Sequence, residues 1–363
     1  VVRVLLAIIA ALFEVLRWLL TPAPPADALK PIAPADAVAA IADALRTAPV
    51  IGLSPGEGHG DERGPAFLIA LIRNPRITAV PIDVVMEGVS GRYQAAMDRY
   101  VRGDAVADAE LRPIWDDTTQ QQIPGPVWTG QVPPVYRAIR EVNATLPRDR
   151  QMRALLGDPP IEWEHVHAPV ELRRWLEQRD SYPAALILSE VIGKGRKALV
   201  YFGGGHLQRR QQLTNYVMDD PIAQTVVSLV ERAGTRTFIV LHGSERDGLA
   251  GWPVPSVALL RGTTLGAEPE PSMGADSPNG GQRVRIVDGA FVPIPREEWT
   301  TMRRDEQADA LVYLGPRSTR TEAPLPREMC KDAAYVRIRL QRMSIGDLPP
   351  SVPQRLKAMC GIE

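Results

Sequence analysis

Residues 197–206 read KALVYFGGGH, an apolar run of strand length that ends in three glycines and a histidine. The run predicts a buried strand over 197–203. The glycines open space at its end and His206 follows at once, so the stretch delivers an imidazole to the rim of a sheet. Three other segments follow the same plan. PVIGL (49–53) enters a loop in which Gly56, Gly58 and Gly60 flank Glu57 and His59. ITAVPIDVVM (77–86), perturbed by Pro81, hands over to Glu87, and MRALLG (152–157) hands over to Asp158.

Helical patterns fill the intervals: ADAVAAIADALRT (35–47), AFLIALIRN (66–74), RYQAAMDRYV (92–101), ELRPIW (110–115), PVYRAIREVNATL (134–146), PVELRRWLEQ (169–178) and YPAALILSEVIGKG (182–195). TVVSLV (225–230), TRTFIVL (235–241) and SVALL (256–260) read as further strands. VRIVDGAFVPI (284–294) carries a hairpin signal at Asp-Gly, and ADALVYLG (308–315) is a strand that rejoins the core or packs on it. This alternation predicts the α/β class, with a mainly parallel sheet flanked by helices, in a single large domain with an irregular C-terminal extension. The expected boundaries are a leader over 1–28, a linker over 29–35, the α/β core over 36–262, a flexible Gly/Pro-rich loop over 263–283, and a C-terminal part over 284–363. Ligands of such sheets bind beyond the carboxyl ends of the strands, where the reading puts all five of these polar residues.

Composition narrows the function. The chain has 363 residues, 45% of them apolar and 23% charged, enough to bury a substantial core. A net charge of -1 gives no electrostatic hold on nucleic acid. Aromatic residues at 6% argue against a base-stacking platform. Cys330 and Cys360 cannot form a four-cysteine zinc site; they are either two free thiols or one disulfide in an oxidising compartment.

Arg3 precedes LLAIIAALF (5–13), a run with the length of a signal-peptide core and too short to span a bilayer. Glu14 and Arg17 interrupt it, and Ala26-Asp27-Ala28 has the small-x-small form of a cleavage site. The segment is read as a signal peptide or membrane anchor, which places the protein outside the cytoplasm or on the membrane. An amphipathic helix lying on a cytoplasmic domain is the alternative.

Glu57 and His59 two positions apart can share a water or a metal, and neutral histidines serve as general bases near neutral pH. Other polar residues carry weaker signals. Arg179-Asp180 reads as an ion pair at a helix end, Glu190 as a surface contact, His165 and His167 as solvated, and His242 as a strand-end residue. Ser54 and Ser244 lack the Gly-x-Ser-x-Gly elbow, and no dinucleotide fingerprint or P-loop is present.

Paired Gly-x-x-His motifs, Gly56–His59 and Gly203–His206, with Glu87 and Arg92 between them, resemble the superfamily that joins erythromycin-esterase-like hydrolases, ChaN-like haem-binding lipoproteins and TIKI/TraB-like proteins. DVVMEGVSGRYQAAMDRYVRGD, RALLGDPPIEW and KALVYFGGGHLQRR also resemble an uncharacterised bacterial ChaN-related family, from about residue 48 to 243. The resemblance implies a hydrolase in which Glu57, His59, Glu87 and His206 are catalytic. Arg92 would bind substrate or orient Glu87; Asp158, by its place after a strand, is a second substrate-binding candidate or a structural cap. Water, activated by a histidine or by a divalent metal on His59 and His206, would attack an ester or peptide bond of a small-molecule or peptide substrate. GEGH is one residue shorter than the erythromycin-esterase spacing, so macrolide hydrolysis is not implied. The alternative is a ChaN-like extracytoplasmic protein that holds haem or metal without turnover.

Overall fold

The strand Lys197–Tyr201 sends Leu199 into one apolar layer and Ala198 and Val200 into another, as the period of two dictates. A sheet covered on both sides follows from that alternation. The computed structural model describes residues 29–54, 56, 60–120, 126–209, 225–269, 284–287, 290–293, 303–321, 327–346 and 351–362. The expected leader, Glu57, His59 and most of the expected loop lie outside the described residues.

The strands in chain order are β1 (Ala35–Asp36), β2 (Val50–Ser54), β3 (Ile82–Ser90), β4 (Ala154–Asp158), β5 (Lys197–Tyr201), β6 (Thr237–Gly243), β7 (Ser256–Leu259), β8 (Val284–Val287), β9 (Ala290–Pro293) and β10 (Ala310–Tyr313). Eight of them form one sheet in the order β1-β7-β10-β6-β2-β5-β3-β4, while β8 and β9 pair as the expected hairpin. From β10 to β4 all neighbours are parallel; β7 and β1 close the other edge antiparallel. The α/β class with a mostly parallel sheet and flanking helices is thus observed, and ADALVYLG does rejoin the core, as β10.

One layer comprises helices α1 (Ala37–Ala44), α2 (Arg63–Ile72), α3 (Gln94–Arg102) and α4 (Pro126–Asn143), packed through Ile41, Leu68, Met97 and Ile139 against Leu53, Val84 and Leu199. Two more helices, α5 (Pro169–Leu176) and α6 (Ser181–Leu186), precede β5. The second layer contains α6, its π-helical continuation Ile187–Val191 and α7 (Val226–Arg232), packed against Val85, Val200 and Ile239. TVVSLV is therefore a helix, where the sequence suggested a strand. Thr225 caps it by accepting from the Ser228 amide, and an apolar run this short fits a buried helix as well as a buried strand. Thr264–Ala267, at the start of the expected loop, is a helical turn capped by Thr263.

The exposed edge of β4 is closed by a side chain. The Gln94 amide donates to the Ala154 carbonyl at 2.7 Å and accepts from the Leu156 amide at 2.9 Å, imitating a further strand. At the opposite end of the strands from the glycine-rich loops, buried Asp83 of β3 receives forked hydrogen bonds from Arg153 and Arg196.

The C-terminal helices α8 (Ala333–Ile345) and α9 (Ser351–Cys360) share a small core of Met329, Val336, Met343 and Leu356. Cys330 and Cys360 are joined as a disulfide, so the thiols are not free. Among the described residues no helix is long and apolar enough to cross a membrane.

Candidate active site

The connection after β2 leads to α2 in one layer, and the connection after β5 leads to α7 in the other. Adjacent parallel strands that part in this way leave a crevice at their carboxyl ends. Ser54 ends β2 at this crevice, its Oγ 3.5 Å from where a Cβ on Gly204 would lie.

Glu87 does not lie past its strand, as the sequence suggested, but inside β3, in a bulge. Met86 faces Leu156 and Ser90 faces Asp158, so the stretch between is longer on β3 than on β4. Gly88 takes up the distortion at a φ of 70°, in the left-handed region open to glycine. The buried Glu87 carboxylate is held on both oxygens. Oε1 accepts from Gln120 Nε2 at 2.8 Å and from Arg179 Nη2 at 2.7 Å; Oε2 accepts from the Gly203 amide at 2.6 Å. Burial alone would raise its pKa. The charge and hydrogen bond of His206, the charge of Arg179 and the Gly203 amide outweigh it and hold the carboxyl well below the usual range.

His206 stands in the helical turn Gly204–Leu207. Its Nδ1 is 2.8 Å from Asp180 Oδ1, and its Nε2 is 3.4 Å from Glu87 Oε1 and 3.3 Å from Arg179 Nη2. Asp180 Oδ1 also accepts from the Val226 amide at the start of α7. Burial opposes charge on the ring, but the charge of Glu87 and hydrogen bonds to Asp180 and Glu87 prevail and push its pKa up to about 9. Nδ1 donates to Asp180, and the shift favours the charged ring.

Asp158 ends β4 and is buried, accepting from the amide and hydroxyl of Thr119, each at 2.7 Å. Burial pushes it up to about 6, against the charge of Arg179 and the Thr119 hydrogen bonds; the Glu87 charge adds to the rise.

The crevice thus joins Glu87 and His206, with Asp158 linked to them through the field of Arg179. Arg92 is engaged elsewhere, its guanidinium forked onto Glu164 at 2.7 and 2.5 Å, and Arg179 is the arginine that orients Glu87. His165 is exposed beside Glu162, and Glu190 belongs to the Arg153–Lys194 ion cluster. Sequence reading gave Arg179 and Asp180 too little weight and missed Thr119 and Gln120. The last two lie in DDTTQ (116–120), which has neither a strand-end pattern nor a motif.

To hold a divalent metal or a haem iron, His206 would need a free imidazole lone pair. Both nitrogens of His206 face hydrogen-bond partners, and the Arg179 cation occupies the place beside Glu87 Oε1 and His206 Nε2 that a metal would take. Among the described residues no group of three or more His, Cys, Asp or Glu side chains could hold a metal ion. As placed, His206 and Glu87 fit neither group.

No family model matches the chain, and no curated protein does. Among solved structures, the type III effector HopBA1 is similar with a TM-score of 0.36 and 11% identity over 63% of this chain and 91% of that one. A structure of ChaN of Campylobacter jejuni, described as cofacial heme binding, is similar with a TM-score of 0.32 and 12% identity over 56% of this chain and 85% of that one. The chain therefore bears a weak structural likeness to a haem-binding ChaN and to an effector, at a level that carries no functional argument.

Proposed function

We propose that the Glu87–His206–Asp180–Arg179 cluster is the centre of a hydrolase of the erythromycin-esterase, ChaN and TIKI-like kind, acting on an ester or peptide bond. One observation carries the reading: an imidazole fixed between two carboxylates, Asp180 on Nδ1 and Glu87 on Nε2, with an arginine on the second carboxylate. Asp180 sets the ring orientation. Glu87 keeps the ring charged, so His206 acts first as an acid and gives its Nε2 proton to the leaving oxygen or nitrogen. Arg179 offers positive charge to the oxygen that becomes negative as water adds. Activation of that water falls to Glu57 and His59, which the sequence puts on the loop after β2. The proton taken up by Glu57 or His59 then passes through solvent back to His206, which resets both groups, and no covalent intermediate forms.

The test is a panel of p-nitrophenyl esters and peptide p-nitroanilides, run with the wild type, His206→Gln and Glu87→Gln. Turnover that falls by about 10²–10⁴-fold in His206→Gln is the expected result, the usual range for loss of an acid–base group. Inertness across the panel, together with a stoichiometric Soret band on haem addition, would overturn the hydrolase in favour of a binding protein. Mass spectrometry of the purified wild type is expected to find no stoichiometric divalent metal.

We also place the protein outside the cytoplasm, because a disulfide persists in oxidising compartments and the 1–28 segment has the features of an export signal. Alkylation in the producing cells should find Cys330 and Cys360 blocked; free thiols there would count against export.

A further inference from the structure

The DDTTQ segment that holds both Glu87 and Asp158 has no regular structure of its own after the helical turn Pro113–Asp116. Its residues Thr118, Thr119 and Gln120 are nevertheless almost wholly buried. What fixes it comes from far along the chain. Arg342 of α8 donates to Asp117 Oδ1 at 2.6 Å and to the Asp116 carbonyl at 3.4 Å. Its guanidinium lies 4.7 Å from the ring centre of Trp163, and Trp163 Nε1 donates to the Thr118 carbonyl at 3.2 Å. The other oxygen of Asp117 accepts from the Tyr93 hydroxyl at 2.6 Å, and Asp116 accepts from the Tyr335 hydroxyl of α8 at 3.0 Å. Beyond these anchors the next two residues turn to the site: Thr119 binds Asp158 twice, and Gln120 binds Glu87.

We propose that Arg342, carried on the disulfide-linked C-terminal helix pair, is a positioning residue of the active site, holding residues 116–120 so that Thr119 and Gln120 fix Asp158 and Glu87. Arg342 touches neither carboxylate. It forms one side of a brace whose other side is Trp163, and together they hold the Asp116 and Thr118 carbonyls. A guanidinium does this better than an ammonium, because it can lie over the indole while Nη1 donates to Asp117 and to the Asp116 carbonyl. The C-terminal extension is then part of the machinery of the site. The proposal rests on the reading of Glu87 and Asp158 as active-site groups, but its test needs no substrate, so it can fail while the hydrolase stands, and the reverse.

Two readouts are taken on the full-length protein with Arg342→Ala and Arg342→Lys. Hydrogen exchange should show the Thr119 and Gln120 amides exchanging at least about tenfold faster in Arg342→Ala, with the amides of β3 and β5 unchanged, as local opening requires. Carbon-13 titration of Asp158, assigned with Asp158→Asn, should show its midpoint rising as the Thr119 donors are released, and Thr119→Val should shift it the same way. Arg342→Lys should recover part of both effects. Uniformly faster exchange with an unmoved Asp158 midpoint would make Arg342 a general stabiliser and overturn the proposal. Trp163→Phe, which keeps the ring but removes the bond to Thr118, gives the same comparison should Arg342→Ala fail to fold.

Discussion

Glu87 is the residue on which two cations depend. Replacing it with Gln keeps the shape but leaves Arg179 and protonated His206 beside each other in a largely buried crevice. His206 should then titrate well below its wild-type midpoint of about 9, as read by NMR of labelled histidine; an unchanged midpoint would contradict the coupling. Breaking such a buried pair typically costs about 3–5 kcal/mol. The sign of the pH dependence follows from the same shift. The His206 pKa is raised on folding, so its contribution is fully present below its unfolded value of 6.5 and is lost as pH rises through about 9. Melting temperatures of the wild type should fall across that window, and His206→Gln should flatten the fall. Asp158 is also raised, so its contribution is present below 3.8 and lost as pH rises through about 6, a separate window on the acid side.

At the scale of elements, the bulge in β3 matters most. An apolar run located this strand, and Glu87 was legible as a candidate, though it was expected past the strand rather than inside it. The bulge was not legible, because it depends on how β3 pairs with β4, and pairing is not a property of either segment alone. Gly157 on β4 reports how tight that pairing is: an added Cβ would lie 2.6 Å from both the Met86 carbonyl and the Phe202 ring. Gly157→Ala should therefore destabilise the protein by about 1–3 kcal/mol in urea titration, as overpacking does, and a neutral result would show that β3 and β4 part easily. The helix α7 teaches the same lesson. Its apolar run was visible, but its N-terminus is fixed by Thr225 and by Asp180 accepting from the Val226 amide, and Asp180 comes from 46 residues away.

At the scale of the whole molecule, a disulfide ties the turn before α8 to the end of α9 across a sequence separation of 30, which stabilises by about 2–4 kcal/mol in typical cases. The Cys330→Ser/Cys360→Ser double variant should melt lower by calorimetry and should also speed exchange at Thr119, since α8 carries Arg342. A lower melting point without the local effect would separate the disulfide from the site. What the sequence by itself determined was the α/β class, most strands of the sheet but not β1, and the polar residues at or near their ends, because apolar periodicity and glycine placement are local properties that burial enforces. Only the tertiary structure decided which groups meet there. Arg179 rather than Arg92 reaches Glu87, Asp180 fixes His206, and the DDTTQ segment enters the site, because each contact depends on strand register, a bulge and a distant helix brought together by packing.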